Sequence, residues 1–431
     1  MNLLKHKHYL LLLMLFGVFA FVTSCKNDDE PTPTPEVLAI TSMAPTAGLP
    51  GTKVVITGTK FDATAANNKV KFNNVDATVT AATATSIEVT VPANATTGKV
   101  TVTVGSTTAT SAQDFTISSR ETVEVKGEIT ANANWTKDKI YVLMGLVYVN
   151  SGVTLNIQPG TIIKGAPKEQ DPLAAGQGGT LIIEAGAKIN AAGTAAEPIV
   201  FTSLKYAGSR NYGDWGGVVI IGKAPHNREG SRAPEGGIRG GKDKAGLGTD
   251  NIADDNSGVL QYVRIEFGGI ALSNQTNSEI NGLTLYAVGS GTTIDHIQVS
   301  YSGDDSYEWF GGTVNAKNLI AFRGWDDDFD TDWGFVGKVQ YALSLRDPQY
   351  ADQSGSNGFE SDNFNGAGTP ATGPNAGLPL TAPTFANVSV FNFNTAPNSN
   401  TNAGTGPYQS AMHLRRNTAI SIYNSVFVGY P

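Results

Sequence analysis

Between residues 37 and 117 apolar positions recur in short runs, each closed by Gly, Pro or Asn. Val54, Ile56 and Gly58 fall on one side of such a run, and Val100, Val102 and Val104 on one side of another. This is the period-two pattern of strands with one buried face. Strands are predicted at 37–42, 53–59, 69–72, 77–81, 86–91, 99–104 and 114–117. So many strands in about 80 residues is the spacing of an antiparallel sandwich.

Beyond Glu121 the pattern changes from hairpins to a repeat with glycine corners. Residues 153–163 match 179–189 at a shift of 26, and 299–303 match 320–324 at a shift of 21. Runs of the same kind stand at 263–268 and 420–424. A period drifting between 21 and 27 residues predicts a coil of short parallel strands, with alternate side chains in the bore and loops tolerated at the corners. An up-and-down barrel or a propeller does not account for that shift. Residues 420–430 read as a buried strand with nothing after it to cap the coil, so a longer natural chain is expected.

The first residues carry Lys5 and Lys7, an apolar run of 13 from Leu10 to Val22, and then Thr23-Ser24-Cys25. The run is shorter than the roughly 20 residues that cross a bilayer, and the order is that of a secretory signal peptide. The small residues before Cys25 resemble the bacterial lipobox. That resemblance implies removal of residues 1–24 and lipidation of Cys25, which attaches the protein to a membrane through its acyl chains. Lys26-Asn27-Asp28-Asp29-Glu30 and the Pro/Thr stretch to Pro35 resemble the export signal of Bacteroidota surface lipoproteins. Residues 25–36 are thus expected to form a lipidated tether on the outer membrane, facing outward. Cys25 is the only cysteine, so the folded part has neither a disulfide nor a thiolate metal site. Loss of Lys5 and Lys7 takes the formal charge from −8 to −10, which argues against a nucleic-acid partner.

Ala44-Pro45-Thr46-Ala47-Gly48, residues 51–58 and Val91-Pro92-Ala93 resemble the IPT/TIG family. The resemblance implies an immunoglobulin-like domain over 37–118 that acts as a spacer and brings no catalytic residues. Residues 193–203 and 215–220 resemble the coils of right-handed parallel β-helix proteins of bacterial surfaces, which implies such a helix over 121–431. The expected fold class is all-β: an immunoglobulin-like β-sandwich plus a right-handed parallel β-helix.

Three insertions interrupt the coils, at 223–256, 351–386 and 394–409, and wall a groove if the corners stack. The densest polar cluster holds Trp325, Asp326, Asp327, Asp328, Asp330, Asp332 and Trp333. It follows Asp304, Asp305, Glu308 and Trp309 at a shift of 23, taking Asp304 to Asp327. One coil apart, these carboxylates are expected side by side, where like charges repel unless something neutralises them. Ca2+ does so with six to eight oxygen ligands, and Asp326, Asp327, Asp328, Asp330 and Asp332 are the candidate ligands. The EF-hand pattern fails, because Trp333 replaces its glycine and Val339 its terminal glutamate. The plainer alternative is a solvated acidic corner paired with Arg323, Arg346, Arg415 or Arg416.

Asp304, Asp305, Glu308 and Asp327 are also candidate catalytic groups, since paired acids hydrolyse glycosidic bonds. Gly303-Asp304-Asp305 is similar to part of the polygalacturonase pattern, but His226, His296 and His413 lack flanking glycines and no Arg-x-Lys follows. A calcium-dependent lyase needs a basic group opposite its metal, for which Arg415 and Arg416 are candidates. Trp309, Trp325 and Trp333, with Glu360, Asp362 and the two arginines, are candidate ligand contacts, because indole faces stack on sugars, although they also pack at corners. Three functions stay open: a surface protein that binds a polysaccharide or another protein, a β-helix polysaccharide lyase or hydrolase, and a structural adhesin.

Overall fold

The structure, a computed structural model, describes residues 36–172, 177–228, 234, 238, 250–271, 279–352, 354–363, 377–393 and 406–430. Cys25, the signal segment and the tether up to residue 35 lie outside them. The chain divides into two units that meet between Ser119 and Arg120.

The first unit is a sandwich. Ala39–Ala44, Lys53–Thr59 and Ser86–Thr90 form one layer, and Asn68–Phe72, Gly98–Val104 and Thr107–Ile117 the other. Val75–Ala82 pairs with the second layer at its start and with the first farther on. The period-two residues do what their spacing requires: Val54, Ile56, Ile87 and Val89 from one layer meet Val70, Phe72, Val100, Val102 and Phe115 from the other, all at most 1% exposed. The last strand begins at Thr107 rather than 114. Its early inward positions are Ala109 and Ser111, too small and polar to register as a hydrophobic run.

The second unit is a parallel β-helix with three faces. The first face stacks Thr154–Ile157, Lys188–Ala192 and the opening residues of Gly258–Glu266, Thr293–Ser300, Asn315–Phe322, Lys338–Leu345 and Thr384–Phe391. Each long strand bends into the second face at one left-handed residue: Tyr262, His296, Asn318, Tyr341 or Asn387, all with φ between 48° and 62°. A single αL residue reverses the pleat in one step, and asparagine tolerates that conformation well. The third face stacks Thr180–Ile183, Gly217–Ile221, Leu283–Tyr286, Tyr307–Phe310, Phe329–Asp332, Ser356–Ser361 and Tyr408–Leu414.

The register differs from the one the repeats suggested. Leu155 pairs with Ile189, while Leu181 belongs to the third face, so the shift of 26 compared two sides of one coil. Those sides look alike because each is a short inward-outward run before a turn. Val299 pairs with Ala321 and not with Ile320, which is 37% exposed. The true step in this region is 22 residues, and a slip of one exchanges the inner and outer sets. The bore is filled by aliphatic ladders that give way to rings: Tyr307, Trp309, Phe329, Phe335, Phe359 and Phe385. Burying each such ring fully contributes roughly 1.5–3 kcal/mol.

The span read as one insertion, 351–386, contains a core strand, Ser356–Ser361. It was missed because Phe359 is its only large apolar side chain. The links Ile221 to Gly258 and Ser361 to Thr384 both run from the third face to the first, and the link Phe391 to Tyr408 runs from the second to the third. All three therefore leave from or lead to the edges of the third face.

Candidate functional site

The outer side of the third face changes character along the helix. At one end Ile182, Val219, Ile221, Tyr286 and Phe310 form an apolar patch covered by Ile238, Ile280 and Trp333. From there Thr284, Glu308, Asp330, Glu360 and His413 stand in register on successive coils, and Phe310 is followed by Asp332. Each of these positions alternates with a bore residue: Trp309 beside Glu308, Thr331 beside Asp330, Ser361 beside Glu360. The strand pleat thus puts carboxylates on neighbouring coils within reach of one another.

At the corner between the second and third faces the same stacking brings Asp304 beside Asp326, and the Asp327 N–H donates to Asp305 Oδ1 at 2.8 Å. Two trios result, Asp304–Asp305–Asp326 and Asp305–Glu308–Asp330, each with carboxylate oxygens within 4.8 Å of one another. Asn281 ties the second trio together, accepting from the Asp305 N–H at 3.2 Å and donating to the Glu308 carboxylate. Asn357 donates to Asp327 from its backbone and side chain. One oxygen each of Asp326 and Asp330 is closed to solvent and accepts no hydrogen bond among the described residues. Burial, reinforced by the neighbouring carboxylates, pushes Asp305, Asp326 and Asp330 well above the usual carboxylate range. At neutral pH such a group holds a proton or faces a cation.

The remaining acids are neutralised by arginine. Asp328 and Arg346 form an ion pair at 2.9 Å with neither side chain exposed, and Ser344 also donates to Asp328. Asp332 meets Arg228 at 3.2 Å, and burial still raises it to about 7. Asp362 takes Arg415 at 2.7 Å and Arg416 at 2.6 Å, while Arg415 and His413 also reach Glu360.

The sequence-based candidates sort accordingly. Asp304, Asp305, Asp326, Glu308 and Asp330 come together; Asp327 adjoins them through hydrogen bonds. Asp328 and Asp332 stand outside both trios and are held in ion pairs, by Arg346 at 2.9 Å and by Arg228 at 3.2 Å. Arg415 and Arg416 serve Glu360 and Asp362 and are not poised as free bases. Trp309 is not a sugar platform, because parity on its strand turns it into the bore, where it stacks on Tyr307 and Phe335 with no exposure. Trp333 is 6% exposed, covered by Arg228 at 5.1 Å from its ring centre. Trp325 alone of the three keeps a partly exposed face. Asn281, Asn357, Arg228, Tyr212 and Tyr350 went unnoticed in the sequence. They reach the site from other coils, across separations no local pattern signals.

Residues 127–431 match the family described as a pectate-lyase-like β-helix domain, and residues 38–117 match the IPT/TIG domain family. No curated protein matches the chain. Among solved structures, an auxiliary nutrient-binding protein from Bacteroides thetaiotaomicron is 21% identical over 20% of this chain and 21% of its own, with a TM-score of 0.19. One from Bacteroides ovatus is 23% identical over 20% and 22%, with a TM-score of 0.19. The family 28 exopolygalacturonase of Yersinia enterocolitica is 10% identical over 88% and 84%, with a TM-score of 0.14. The chain spans about a fifth of the length of the two nutrient-binding proteins.

Proposed function

The chain belongs to the pectate-lyase-like β-helix family, and on that premise we propose that it is a surface-displayed glycan-binding protein whose carboxylate recess on the third face holds Ca2+. Lipid on Cys25 anchors it to the outer membrane, and the IPT/TIG domain spaces the helix from the surface. The observation that carries this reading is the pair of carboxylate trios sharing Asp305. Ca2+ binds oxygen at roughly 2.3–2.6 Å, so two ligands of one ion stand up to about 5 Å apart. Oxygens within 4.8 Å fit that spacing, and the oxygens of Asp326 and Asp330 that accept no hydrogen bond among the described residues are the donors such an ion would use. Asp304, Asp305 and Asp326 would hold the ion, or Asp305, Glu308 and Asp330. Bound there, it supplies a positive charge to which a sugar oxygen coordinates, while the chain's own groups orient the polymer. Melting the protein in rising Ca2+ and then in chelator tests the metal: saturation at a hundred times the Kd adds about 2.7 kcal/mol, and an unmoved midpoint removes Ca2+ from the reading.

A second reading, hydrolysis, is favoured by the Asp305–Glu308–Asp330 trio, where a carboxyl raised by burial lies beside other carboxylates, as an acid and base pair requires. Release of reducing ends from a bound glycan, abolished in Asp305→Asn, is its signature; binding without release leaves the first reading standing.

A further inference from the structure

We propose that the β-helix carries a second glycan-binding site, independent of Ca2+, in a groove on the second face where it bends away from the first. It goes beyond the recess reading above and does not depend on it.

The groove follows from how the bend is made. Tyr262, His296, Asn318, Tyr341 and Asn387 take the same left-handed position on successive coils, so their side chains stand in one row along the helix. Two residues farther along each strand a second row begins with Arg264 and Gln298 and turns apolar at Ile320 and Leu343, which are 37% and 39% exposed. Both rows line one groove of about 630 Å3, within the roughly 300–1,000 Å3 usual for ligand sites.

The first row is fixed by bonds of its own. Asp295 accepts from the Asn318 side chain at 2.8 Å and meets His296 Nδ1 at 2.8 Å, and the His296 ring stacks on Tyr262 with 4.3 Å between centres. Asn424 donates to Asn387 on the next coil. These bonds use Nδ1 of His296 and the Nδ2 group of Asn318, so Nε2 and Oδ1 are what the two residues offer a ligand. Tyr341, 53% exposed, adds a ring to the lining.

That lining selects the class of ligand. An apolar face is needed against Ile320, Leu343 and Tyr341, and hydrogen-bonding edges against the amides and the imidazole; a sugar chain has both, in its C–H faces and its hydroxyl rim. An apolar protein surface pressed there would leave the amides unpaired. The spacing agrees. Coils about 4.8 Å apart give a row of five residues a length of about 19 Å, and the step is close to the length of one pyranose in an extended chain. An extended peptide shows same-side groups only about 6.6–6.8 Å apart and falls out of step.

The test is calorimetric titration of the full chain, in chelator, with cellohexaose, β-1,4-mannohexaose, xylohexaose and maltohexaose. The expected result is that one of the three extended oligosaccharides binds, at least tenfold tighter than the coiled maltohexaose. Tyr341→Ala should weaken it about two- to tenfold, the range for a single aromatic contact, and Asn318→Ala about as much, as for one hydrogen bond. Ile320→Ser should weaken it too, with little change in melting temperature, and binding that requires Ca2+ should be untouched by all three. Absence of binding in chelator, tighter binding of maltohexaose, or affinity indifferent to the three substitutions overturns the proposal. So does a dimer in sedimentation that Tyr341→Ala dissolves, which would make the groove a contact between copies. Binding seen only with Ca2+ leaves the recess reading standing without this one; binding seen only as a chelator-insensitive class does the reverse.

Discussion

Replacing Arg346 by Met should destabilise the β-helix by several kcal/mol, and the structure says why. The guanidinium pairs with Asp328 at 2.9 Å with neither residue exposed, donates to the Asp326 and Asn357 carbonyls at 2.6 and 3.3 Å, and lies 4.6 Å from the centre of the Tyr408 ring. Met keeps most of the stem, so the loss is chiefly electrostatic: among the described residues, Asp328 is left buried with Ser344 as its remaining side-chain donor. Removing one partner of a buried pair costs about 3–5 kcal/mol, equivalent to a fall of roughly 5–8 °C in melting temperature for a unit of this size. The cost should depend on pH. Burial already raises Asp328 to about 6 with Arg346 in place, and without that cation it rises further. A raised folded pKa means that the folded state binds the proton more tightly, so the variant regains stability as pH falls. Thermal melts at pH 8 and pH 5 should show a large deficit at the first and a smaller one at the second. Arg346→Met combined with Asp328→Leu should recover most of the loss. A melting temperature within about 2 °C of the parent at pH 8, or a deficit that does not shrink at pH 5, refutes the reasoning.

In chelator, the intact protein should melt higher at pH 5 than at pH 8. Asp332 at about 7 and Asp328 at about 6 both lie above the ordinary 3.8, so their stabilising protons are lost as pH rises from about 4 to about 7. The Asp332 contribution alone is at most about 4 kcal/mol; a flat profile contradicts it. Register is tested by neighbours: Leu319→Ser, at a position 1% exposed, should cost about 3 kcal/mol or more in a urea melt, while Ile320→Ser, at 37%, should cost under about 1. Equal effects would mean that the inner and outer sets are misassigned.

Much of this was legible locally. Period-two runs bounded by Gly and Pro specify strands wherever they occur, and Val54 and Val100 in the sandwich core and Leu155 and Ile189 in the bore are positions such runs mark as buried. The clustering of acids between Asp304 and Asp332 was equally visible, because composition survives any error of register. What local pattern could not carry was parity. Trp309 and Trp325 each stand next to an acid in the sequence, yet one fills the bore and the other lies partly exposed at a corner against Tyr212 and Tyr350.

The chain alone determined its all-β class, its passage from sandwich to coil and its acid-rich corner, because each follows from the order of residues within one strand or turn. The tertiary structure decided which coil stacks on which, and with it that Asp304 meets Asp326, that Asp328 belongs to Arg346, and that Tyr212 and Tyr350 flank Trp325. The first of these neighbours is set by a 22-residue step in which a slip of one residue costs little in pattern matching but exchanges every inner side chain for an outer one. Only packing of the whole bore penalises that slip.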